Sequence, residues 1–470
     1  MLTEAVKNEL KRIVGAEFAS FSKEGLLLYS YDATNQFFTP DAVVFPKAAE
    51  EVSLILKMAN AEGFPVVPRG AGTGFSGGSL PVEGGVVLSL ERMRNILEID
   101  EKNLLATVEP GVVTWELQQE VEKSGLFYPP DPTSLKFSTI GGNIAENAGG
   151  PRAVKYGVTR DYVLSLEAVL PTGEIINTGV RTMKGVVGYD LTRLITGSEG
   201  TLAIITKAVL RLIPLPQATK TLLAAFPSDL RAACEAVSKV ISARIVPATL
   251  ELMDSLSVQC ADDYAGIGLP KDSSLLLIEV DGSADSVASD GAMIEAICKE
   301  SGAYSVKAAS DSKEVKNLWK ARRAISASLF RLRPDKLNED VVVPRSEIPA
   351  LAQGIQEIAK SRGLTIACFG HAGDGNIHVN VMFDKRDTEE ASRAEAAIED
   401  IFSLSLSLKG TISGEHGVGI TKAKYLGMEL DAQSIELMKR VKKAFDPNGV
   451  LNPGKIFPSE KTYQTARASQ

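Results

Sequence analysis

The chain has 470 residues, of which 44% are hydrophobic and 23% charged, and its formal net charge is −8 at pH 7. This length exceeds the size at which a single hydrophobic core stops growing, so we expect two or more domains. The negative balance argues against nucleic acid as a main partner. Because no apolar run approaches the roughly 18 residues of a spanning helix, the sequence predicts no transmembrane segment.

The opening residues MLTEAVKNELKRIV predict an amphipathic helix that contains Glu4 and Glu9. Acidic residues in this position suit neither a secretory signal nor a transit peptide, so we expect a cytoplasmic protein. The four cysteines lie tens of residues apart and form no CxxC pair, which predicts reduced, mostly buried thiols and no iron–sulfur cluster held by this chain alone. They are Cys234, Cys260, Cys298 and Cys368.

Residues 1 to about 215 alternate short apolar strands, glycine loops and amphipathic helices. One example is a helix over 48–62 that is followed by the strand PVVPR and the loop GAGTGFSGG. This alternation is typical of α/β or α+β domains. The segment IPLPQ, with Pro214 and Pro216, breaks the strand pattern and predicts an interdomain linker, so we place the first domain at 1–217.

A second α+β domain is expected over 218–420, followed by a C-terminal helical segment over 421–470. In the second domain, helices such as LRAACEAVSKVISA and EVKNLWKARRAISASLF alternate with the strands SLLLIEV, TIACFGH and IHVNVMF. After Lys422 the pattern is helical until DPNGVLNPGKIF, where prolines and glycines end the last helix. The polar tail, 458–470, is expected to be frayed.

Three glycine-rich stretches in the first domain, 70–78, 139–150 and 197–206, predict an extended ligand. Bare backbone amides in the first stretch suit a pyrophosphate. The first stretch is followed by Ser79-Leu80-Pro81 and not by a helix, so it does not match a Rossmann fingerprint, and the chain has no GK[ST] motif of a P-loop. A diphosphate dinucleotide has the required length. The alternative is a turn-rich sheet without a ligand.

The only three histidines of the chain lie in two short motifs, HAGDGNIH and SGEHGVG. Imidazole both binds borderline metals and exchanges protons near pH 7, so this concentration favours a chemical site. Asp374, Asn376, Asn380 and Glu415 lie nearby in sequence and offer oxygen ligands of the kind found in Zn, Fe or Mn sites. The alternative is that each histidine is a hydrogen-bonded core residue.

The spacing within these motifs predicts how their side chains are presented. His378 and Asn380 share one face of the strand IHVNVMF. His371 lies seven residues before His378, and a chain reversal at 373–375 would return it to the same region. Gly414 and Gly417 flank the pair Glu415-His416, which lets both of these adjacent side chains reach one cavity.

Taken in order, the motifs of this chain resemble those of one family. They are PRGAGTGFSGG, PPDPTS, GGNIAENAGG, GSEGTLAIIT, HAGDGNIHVN, SGEHGVG and LNPGKIF. The family is that of the FAD-linked oxidases of the vanillyl-alcohol oxidase and PCMH type, with the FAD-linked oxidase C-terminal domain. The resemblance runs from about residue 38 to 457. It is strongest to the branch that includes glycolate oxidase and D-lactate dehydrogenases.

This resemblance implies an α+β fold with a two-part, PCMH-type FAD-binding domain at 1–217. An α+β cap domain, 218–420, would hold the substrate and a metal, and the segment 421–470 would pack back on the FAD domain. No histidine or cysteine occurs between residues 1 and 233, so the FAD is expected to be non-covalent. The resemblance places the FAD pyrophosphate between the loops 70–78 and 139–150. It assigns cofactor contacts to Arg69, Gly70, Ala71, Gly72, Thr73, Gly74, Gly77, Pro130, Asp131, Ser134, Thr139, Gly142, Asn143, Asn147, Gly149, Gly150, Glu199, Gly200, Ile205 and Asn452.

The family's catalytic and binding residues carry over to matched positions of this chain. His371, His378 and Glu415 would bind a divalent metal, and His416 is the implied base. Arg322 in Trp319-Lys320-Ala321-Arg322 matches an arginine that binds the substrate carboxylate, and Asn380 is a further substrate residue; the alternative is that Arg322 solvates a helix face. Where relatives that oxidise hydroxy-dicarboxylates carry a lysine, this chain has Asn338, which favours a small monocarboxylate.

The expected function is an FAD- and metal-dependent dehydrogenase of D-lactate or glycolate. It would pass electrons to a separate carrier: an iron–sulfur subunit, an electron-transfer flavoprotein or a quinone. The alternatives are a D-2-hydroxyglutarate-type dehydrogenase, a metal-dependent hydrolase and a non-catalytic FAD-holding subunit. A homodimer and a hetero-oligomer both stay open, as does attachment to a membrane through a partner.

Overall fold

The computed structural model describes residues 2–457, so the tail expected to be frayed lies outside the described residues. The helices are α1 (Glu4–Val14), α2 (Lys23–Leu27), α3 (Ala49–Glu62), α4 (Thr114–Glu122), α5 (Ile140–Glu146), α6 (Ala153–Tyr156), α7 (Leu191–Ile195), α8 (Arg231–Ser242), α9 (Ser255–Ala265), α10 (Ala284–Glu300), α11 (Ser312–Ser328), α12 (Ile348–Arg362), α13 (Thr388–Ser407), α14 (Leu426–Glu429) and α15 (Ala432–Phe445). Single 3-10 turns occupy Ala16–Phe18, Thr159–Asp161, Leu329–Arg331, Arg345–Glu347 and Ala423–Tyr425.

The strands form a mixed α+β architecture with these helices, as the sequence predicts. They are β1 (Ala19–Ser20), β2 (Ala42–Val44), β3 (Val66–Arg69), β4 (Val86–Ser89), β5 (Ile96–Asp100), β6 (Leu105–Val108), β7 (Leu126–Phe127), β8 (Val163–Val169), β9 (Ile175–Gly179), β10 (Ile204–Arg211), β11 (Ile213–Pro214), β12 (Ala218–Pro227), β13 (Thr249–Met253), β14 (Ser273–Gly282), β15 (Ser305–Ala308), β16 (Asp335–Val342), β17 (Thr365–His371) and β18 (Asn376–Phe383).

The chain divides into two compact units that are discontinuous in sequence. Of the described residues, the first unit contains 2–148, 158–215 and 415–457, and the second contains 149–157 and 216–414. The domain bounds expected at 217 and 420 stay predictions, and one short segment of the second unit was not anticipated. Residues 149–157 join the second unit because Lys155 and Tyr156 on α6 both hydrogen-bond the carboxylate of Asp281 on β14.

The first unit contains two main sheets. One has the strand order β1-β2-β4-β3, and its β2, β4 and β3 are parallel. Apolar residues of α1 and α3, including Leu10, Ile55 and Leu56, are fully buried in the core beneath it. The other sheet is antiparallel, in the order β5-β6-β10-β8-β9. The first glycine stretch begins where β3 ends, as the sequence predicts.

The second glycine stretch differs from the expected loop because its first half is the helix α5. The side chain of Thr139 caps this helix by accepting a 3.4 Å hydrogen bond from the amide of Gly142. Ile140 and Ile144 are completely buried and hold the helix against the core. The cap and the two buried isoleucines therefore offset the low helix propensity of adjacent glycines.

The C-terminal segment completes the first unit. Leu451 forms a parallel bridge with Val66 on β3, and the amide of Asn452 donates to the carbonyl of Val66 at 2.8 Å. The side chain of Asn452 also donates to the carbonyl of Gly78 at 2.9 Å. The last described residues thus lie beside the strand from which the first glycine loop starts.

The second unit is built on an antiparallel sheet in the order β15-β12-β14-β13-β17-β18-β16. Helices α9 and α11 pack together over one face of this sheet. Their apolar residues, among them Val258 and Ile325, share a core with Met253, Phe369 and Met382 of the strands. Because side chains alternate along a strand, this covered face also carries His371 and His378.

Two simple expectations concern thiols and membrane helices. The expectation of buried thiols is confirmed, since all four cysteines are free and buried. Among residues 2–457, no helix has both the length and the apolar character needed to cross a bilayer.

Candidate active site

The two histidines of HAGDGNIH face each other on neighbouring strands. His371 ends β17 and pairs with Asn376, while His378 on β18 pairs with Phe369. The expected reversal at 373–375 is therefore confirmed. The imidazole centroids lie 5.1 Å apart with ring planes at 86°, and both rings are buried. The hairpin thus brings together two side chains that the sequence separates by seven residues.

A carboxylate that the sequence reasoning missed lies beside them. Glu251 on β13 pairs with His371 across the sheet and has no exposed surface. One of its oxygens lies 2.7 Å from His371 Nδ1, and the other lies 2.5 Å from Arg322 Nη2. Burial acts to raise the pKa of Glu251, but the basic groups of His371 and Arg322 lower it by more, so the pKa is below its ordinary value. An ionised carboxylate accepts a hydrogen bond from Nδ1–H, and Nε2 is then the ring nitrogen that would coordinate a metal.

Arg322 reaches this carboxylate from the overlying helix α11. The residue is only 4% exposed, so it does not solvate the helix face; its neighbour Arg323 is exposed. The guanidinium carbon lies 4.7 Å above the ring of Phe369. Among the atoms that the structure describes, Arg322 Nε is buried without a hydrogen-bond partner. A buried donor of this kind fits an arginine that accepts a carboxylate ligand.

Amide side chains occupy the next positions along the same face. Asn380 on β18 pairs with Asn338 on β16 and has no exposed surface. Its nitrogen donates weakly to the carbonyls of His378 and Ala367, at 3.3 and 3.4 Å. The amide oxygens of both asparagines are buried, and neither has a hydrogen-bond partner among the described atoms. These orphaned acceptors lie on the same sheet face as His371 and His378.

Asp340 holds the chain that leads to Glu415. It pairs with His378 across β16 and β18. Its carboxylate accepts hydrogen bonds from the Ser413 hydroxyl at 3.2 Å and from the Gly414 amide at 2.9 Å. Glu415 follows Gly414 by one peptide bond and begins the part of the chain that belongs to the first unit. Two imidazoles and a carboxylate are a ligand set that fits a divalent Zn, Fe or Mn ion.

In the first unit, the glycine loop 70–78 lies directly against the start of α5. A Cβ atom added at Gly70 would stand 2.5 Å from Thr139 Oγ1 and 3.7 Å from the amide nitrogen of Gly142. Gly72 and Gly77 have φ angles of +67° and +75°, a region that residues with side chains rarely adopt. The two stretches thus present bare backbone at a helix N-terminus, and this arrangement fits a diphosphate group.

Several residues expected to contact the cofactor fasten these loops. Arg69 donates to the Tyr31 carbonyl at 2.8 Å, and Asn143 donates to the Thr114 hydroxyl at 2.7 Å. Asn147 accepts from the Arg160 amide at 2.9 Å. The other expected residues of the first unit lie in its glycine loops, in the 130–134 turn or on β10, and they are Ala71, Thr73, Gly74, Pro130, Asp131, Ser134, Gly200 and Ile205. Gly149 and Gly150 belong to the second unit.

Glu199, a further expected cofactor residue, binds the backbone next to His416. It has φ +53°, and its carboxylate accepts from the amides of Val418 and Gly419 at 2.8 and 2.6 Å. A second acid, the partly buried Glu146, accepts from the Ser76 hydroxyl at 3.2 Å. Burial, and then the charge of Glu199, raise the pKa of Glu146 well above its ordinary value.

His416 packs on the first glycine loop, because its ring lies 5.0 Å from the ring of Phe75. The φ of +85° at Gly417 turns the chain directly after it. The sequence contained no sign that Glu199 supports this segment, since more than 200 residues separate the two.

Comparison with known proteins identifies the class. An FAD binding domain model matches residues 40–179, and the model of the FAD linked oxidases, C-terminal domain, matches residues 215–456. The chain therefore belongs to the FAD-linked oxidase family, which confirms the expected resemblance.

Among its relatives is the glycolate oxidase subunit GlcD of Bacillus subtilis, 50% identical over 98% of both chains. The GlcD subunit of Escherichia coli K12 is 38% identical over 93% of this chain and 87% of its own. The mitochondrial D-lactate dehydrogenase [cytochrome] of Arabidopsis thaliana is 36% identical over 89% of this chain and 74% of its own.

Solved structures show the same fold at low sequence identity. p-Cresol methylhydroxylase superposes with a TM-score of 0.78 at 18% identity, covering 97% of this chain and 98% of its own. 4-Ethylphenol oxidase from Gulosibacter chungangensis superposes with a TM-score of 0.76 at 20% identity, covering 97% of both chains. The expected PCMH-type α+β fold is thereby confirmed.

Proposed function

We propose that this protein oxidises a small 2-hydroxy acid, glycolate or D-lactate, to the 2-oxo acid with FAD as the electron acceptor. The observation that carries the proposal is the arrangement in the second unit, where the buried Glu251 contacts both His371 and Arg322. The proposal is also supported by 50% identity over nearly the whole chain to a protein named as a glycolate oxidase subunit.

The glycine loops of the first unit would hold the FAD. When bound, the flavin supplies a two-electron acceptor for a hydride. The binding is expected to be non-covalent, since residues 1–233 contain neither histidine nor cysteine. Hydrogen bonds from the side chains of Arg69, Asn143 and Asn452 would hold these loops in the binding conformation before FAD binds.

The substrate residues follow from the chemistry of a 2-hydroxy acid. Arg322 would bind the carboxylate through its planar guanidinium, and Asn380 would contact the substrate through its amide. Asn338, opposite Asn380, offers no charge for a second carboxylate, which favours a monocarboxylate. The metal would be held by His371, His378 and Glu415, and it would supply a Lewis acid for the substrate oxygens.

His416 would act as the base. The substrate loses the proton of its hydroxyl to the imidazole, while the C2–H bond breaks and its electron pair leaves as hydride. The new C=O bond forms the 2-oxo acid, so two electrons and two hydrogens leave the substrate. The buried carboxylate of Glu199 keeps the backbone after His416 in one conformation, because it accepts from the amides of Val418 and Gly419.

The reduced cofactor must return its electrons to a separate carrier. We propose an iron–sulfur subunit, an electron-transfer flavoprotein or a quinone. The two bacterial relatives are named as subunits, and the plant relative carries the word cytochrome in its name, which supports a macromolecular acceptor. Homo- or hetero-oligomerisation, a cytoplasmic location and attachment to a membrane through a partner stay predictions.

The visible spectrum of the purified protein tests the proposal. Under anaerobic conditions, glycolate or D-lactate should bleach the flavin absorption band, while L-lactate and D-2-hydroxyglutarate should bleach it far more slowly. A flavin that only D-2-hydroxyglutarate bleaches would favour the hydroxy-dicarboxylate alternative. A bound flavin that no hydroxy acid bleaches would point to a non-catalytic subunit, and failure to bind FAD at all would favour the metal-dependent hydrolase.

A further inference from the structure

We infer that Glu251 is a positioning residue that fixes the metal ligand His371 and the substrate-binding Arg322 at the same time. The inference rests on the proposed function, because it assigns a role to each partner in that reaction. Glu251 itself would contact neither substrate nor metal. Its role is to orient His371, which would bind the metal, and Arg322, which would bind the substrate.

The geometry assigns one oxygen to each partner. Oε1 lies 2.7 Å from His371 Nδ1, and Oε2 lies 2.5 Å from Arg322 Nη2. The side chains of the three residues are 0%, 2% and 5% exposed, so water does not compete for these contacts. Strand pairing places Glu251 directly opposite His371, so the position of the Glu251 carboxylate is fixed beside this ring.

For His371, the contact decides which ring nitrogen is available. A carboxylate only accepts hydrogen bonds, so the contact favours the proton on Nδ1, and Nε2 is the ring nitrogen that would coordinate a metal. The contact also fixes the rotation of the ring relative to His378, whose centroid is 5.1 Å away. Loss of such a carboxylate partner weakens metal binding by about 10- to 100-fold in other proteins.

For Arg322, the contact fixes the direction of the guanidinium. Glu251 holds one edge of the group, and the ring of Phe369 supports its plane at 4.7 Å. The Nε donor is buried and has no hydrogen-bond partner in the part of the chain that the structure describes, so it is available to a carboxylate. Glu251 therefore fixes the orientation of both the metal ligand His371 and the substrate-binding Arg322.

A purely structural ion pair is the competing explanation, since buried ion pairs also occur in cores without a functional role. Asp254 provides a matched control. It is partly buried one residue beyond the end of the same strand, and it accepts from the amides of Ser257 at 2.7 Å and Cys368 at 2.5 Å. These two partners are backbone amides, so replacement of Asp254 should disturb local packing without changing the metal ligand or the substrate-binding arginine.

The experiment compares Glu251→Gln, Glu251→Asp and Asp254→Asn in the full-length, FAD-loaded protein. Glutamine has one acceptor and one NH2 group, so it must turn the NH2 group toward either His371 or Arg322. We expect Glu251→Gln to weaken Zn and Mn affinity about 10- to 100-fold and to raise the D-lactate concentration needed for half-maximal flavin reduction. Glu251→Asp keeps the charge and should lie between Glu251→Gln and the wild type. Asp254→Asn should match the wild type in both affinities at equal FAD content.

Unchanged metal and substrate affinities in Glu251→Gln would overturn the inference, as would equal losses in Asp254→Asn. If Glu251→Gln does not fold, Glu251→Asp is compared with Asp254→Glu. The inference then requires that Glu251→Asp alone weakens the affinities for metal and for D-lactate. If neither Glu251 variant folds while Asp254→Asn does, the residue is structural and the inference fails. The proposed function fails separately, if the wild type binds neither metal nor a hydroxy acid.

Discussion

The carboxylate of Glu199 accepts a 2.6 Å hydrogen bond from the backbone amide of Gly419, 220 positions further along the chain. A second bond from Val418, at 2.8 Å, makes the contact a clamp on the segment that follows His416. Gly417 directly precedes these two residues and has φ +85°. The conformation of the proposed base is therefore set by backbone contacts and not by the imidazole alone.

Gly417→Ala should lower both stability and activity. The new Cβ would stand 2.6 Å from Glu146 Oε2 and 3.1 Å from Glu199 Oε1, and it would require a positive φ. We expect a loss of about 2–4 kcal/mol in the free energy of unfolding, from the clash together with the strained φ. Urea unfolding and the rate of flavin reduction would measure the two effects.

Gly449→Ala is the control for backbone strain alone. Gly449 has φ +67°, and an added Cβ there meets no described atom within 4 Å. We expect a loss of about 1 kcal/mol with unchanged flavin reduction. Equal effects of the two substitutions would contradict a special role for the space at Gly417.

Glu146→Gln should change how stability depends on pH. Burial, and then the charge of Glu199, raise the pKa of Glu146 above its value of 4.5 in an unfolded chain. A raised native pKa means that the native state keeps a proton that the unfolded state has lost. Stability is thus greatest below the unfolded pKa and falls as pH rises toward the native pKa. In urea unfolding, the variant should flatten the decline of stability that the wild type shows as pH rises above 4.5.

Glu174→Gln is the surface control for this pH series. The hydrogen bond from Thr172 lowers the pKa of this exposed carboxyl, so its effect has the opposite sign. The decline of stability with rising pH should persist in this variant. If Glu146→Gln showed the same decline as the wild type, Glu146 would not be the group that titrates.

His416→Ala should abolish flavin reduction while FAD stays bound. A positioned general base contributes about 10²- to 10⁴-fold to a rate. The ring of His416 packs on Phe75 in the first glycine loop, where the FAD is expected to bind. Rapid mixing with D-lactate or glycolate would measure the reduction rate, and the flavin absorbance would measure FAD content. A reduction rate near that of the wild type would exclude His416 as the base.

Removal of metal with a chelator should stop turnover, and Zn, Mn or Fe should restore it. His378→Ala should lower metal content because it removes one of the three proposed ligands, the others being His371 and Glu415. Elemental analysis of the dialysed protein would measure this directly. Full activity in metal-free protein would make the histidine pair structural.

Asn338→Lys should broaden the substrate range. The residue lies opposite Asn380 on the sheet face that carries His378, where an ammonium group could pair with a second carboxylate. We expect kcat/KM for D-2-hydroxyglutarate to rise by about 10-fold relative to that for D-lactate. This ratio corresponds to a free-energy difference of about 1.4 kcal/mol. Asn338→Gln, which adds length without charge, is the control, and an equal gain there would rule out a charge effect.

The sequence predicted the elements that depend on local pattern. The turn between His371 and His378 follows from Gly373-Asp374-Gly375, and the register of β17 and β18 then brings the rings together. The buried arginine was found only through its WxxR motif. Local rules failed at α5, where a threonine cap and two buried isoleucines outweigh the glycines.

The sequence did not reveal Glu251, although it is central to the second unit. It lies in the strand TLELM, where one acid between apolar residues resembles a solvent-facing position. Only the pairing of β13 with β17, across 120 residues, places it beside His371. Contacts over such separations leave no mark in a local sequence window, and the same holds for Glu199 and Gly419.

The bridge between Val66 and Leu451 also constrains the order of events on the ribosome. Gly78 and Asn452 lie 374 positions apart, yet they hydrogen-bond in the same unit. The ribosome therefore releases the second unit's residues before it releases those that complete the first. Until then, strand β3 lacks its pairing partner near residue 451. Nascent chains of this protein would therefore depend on protection from aggregation until their final residues are made.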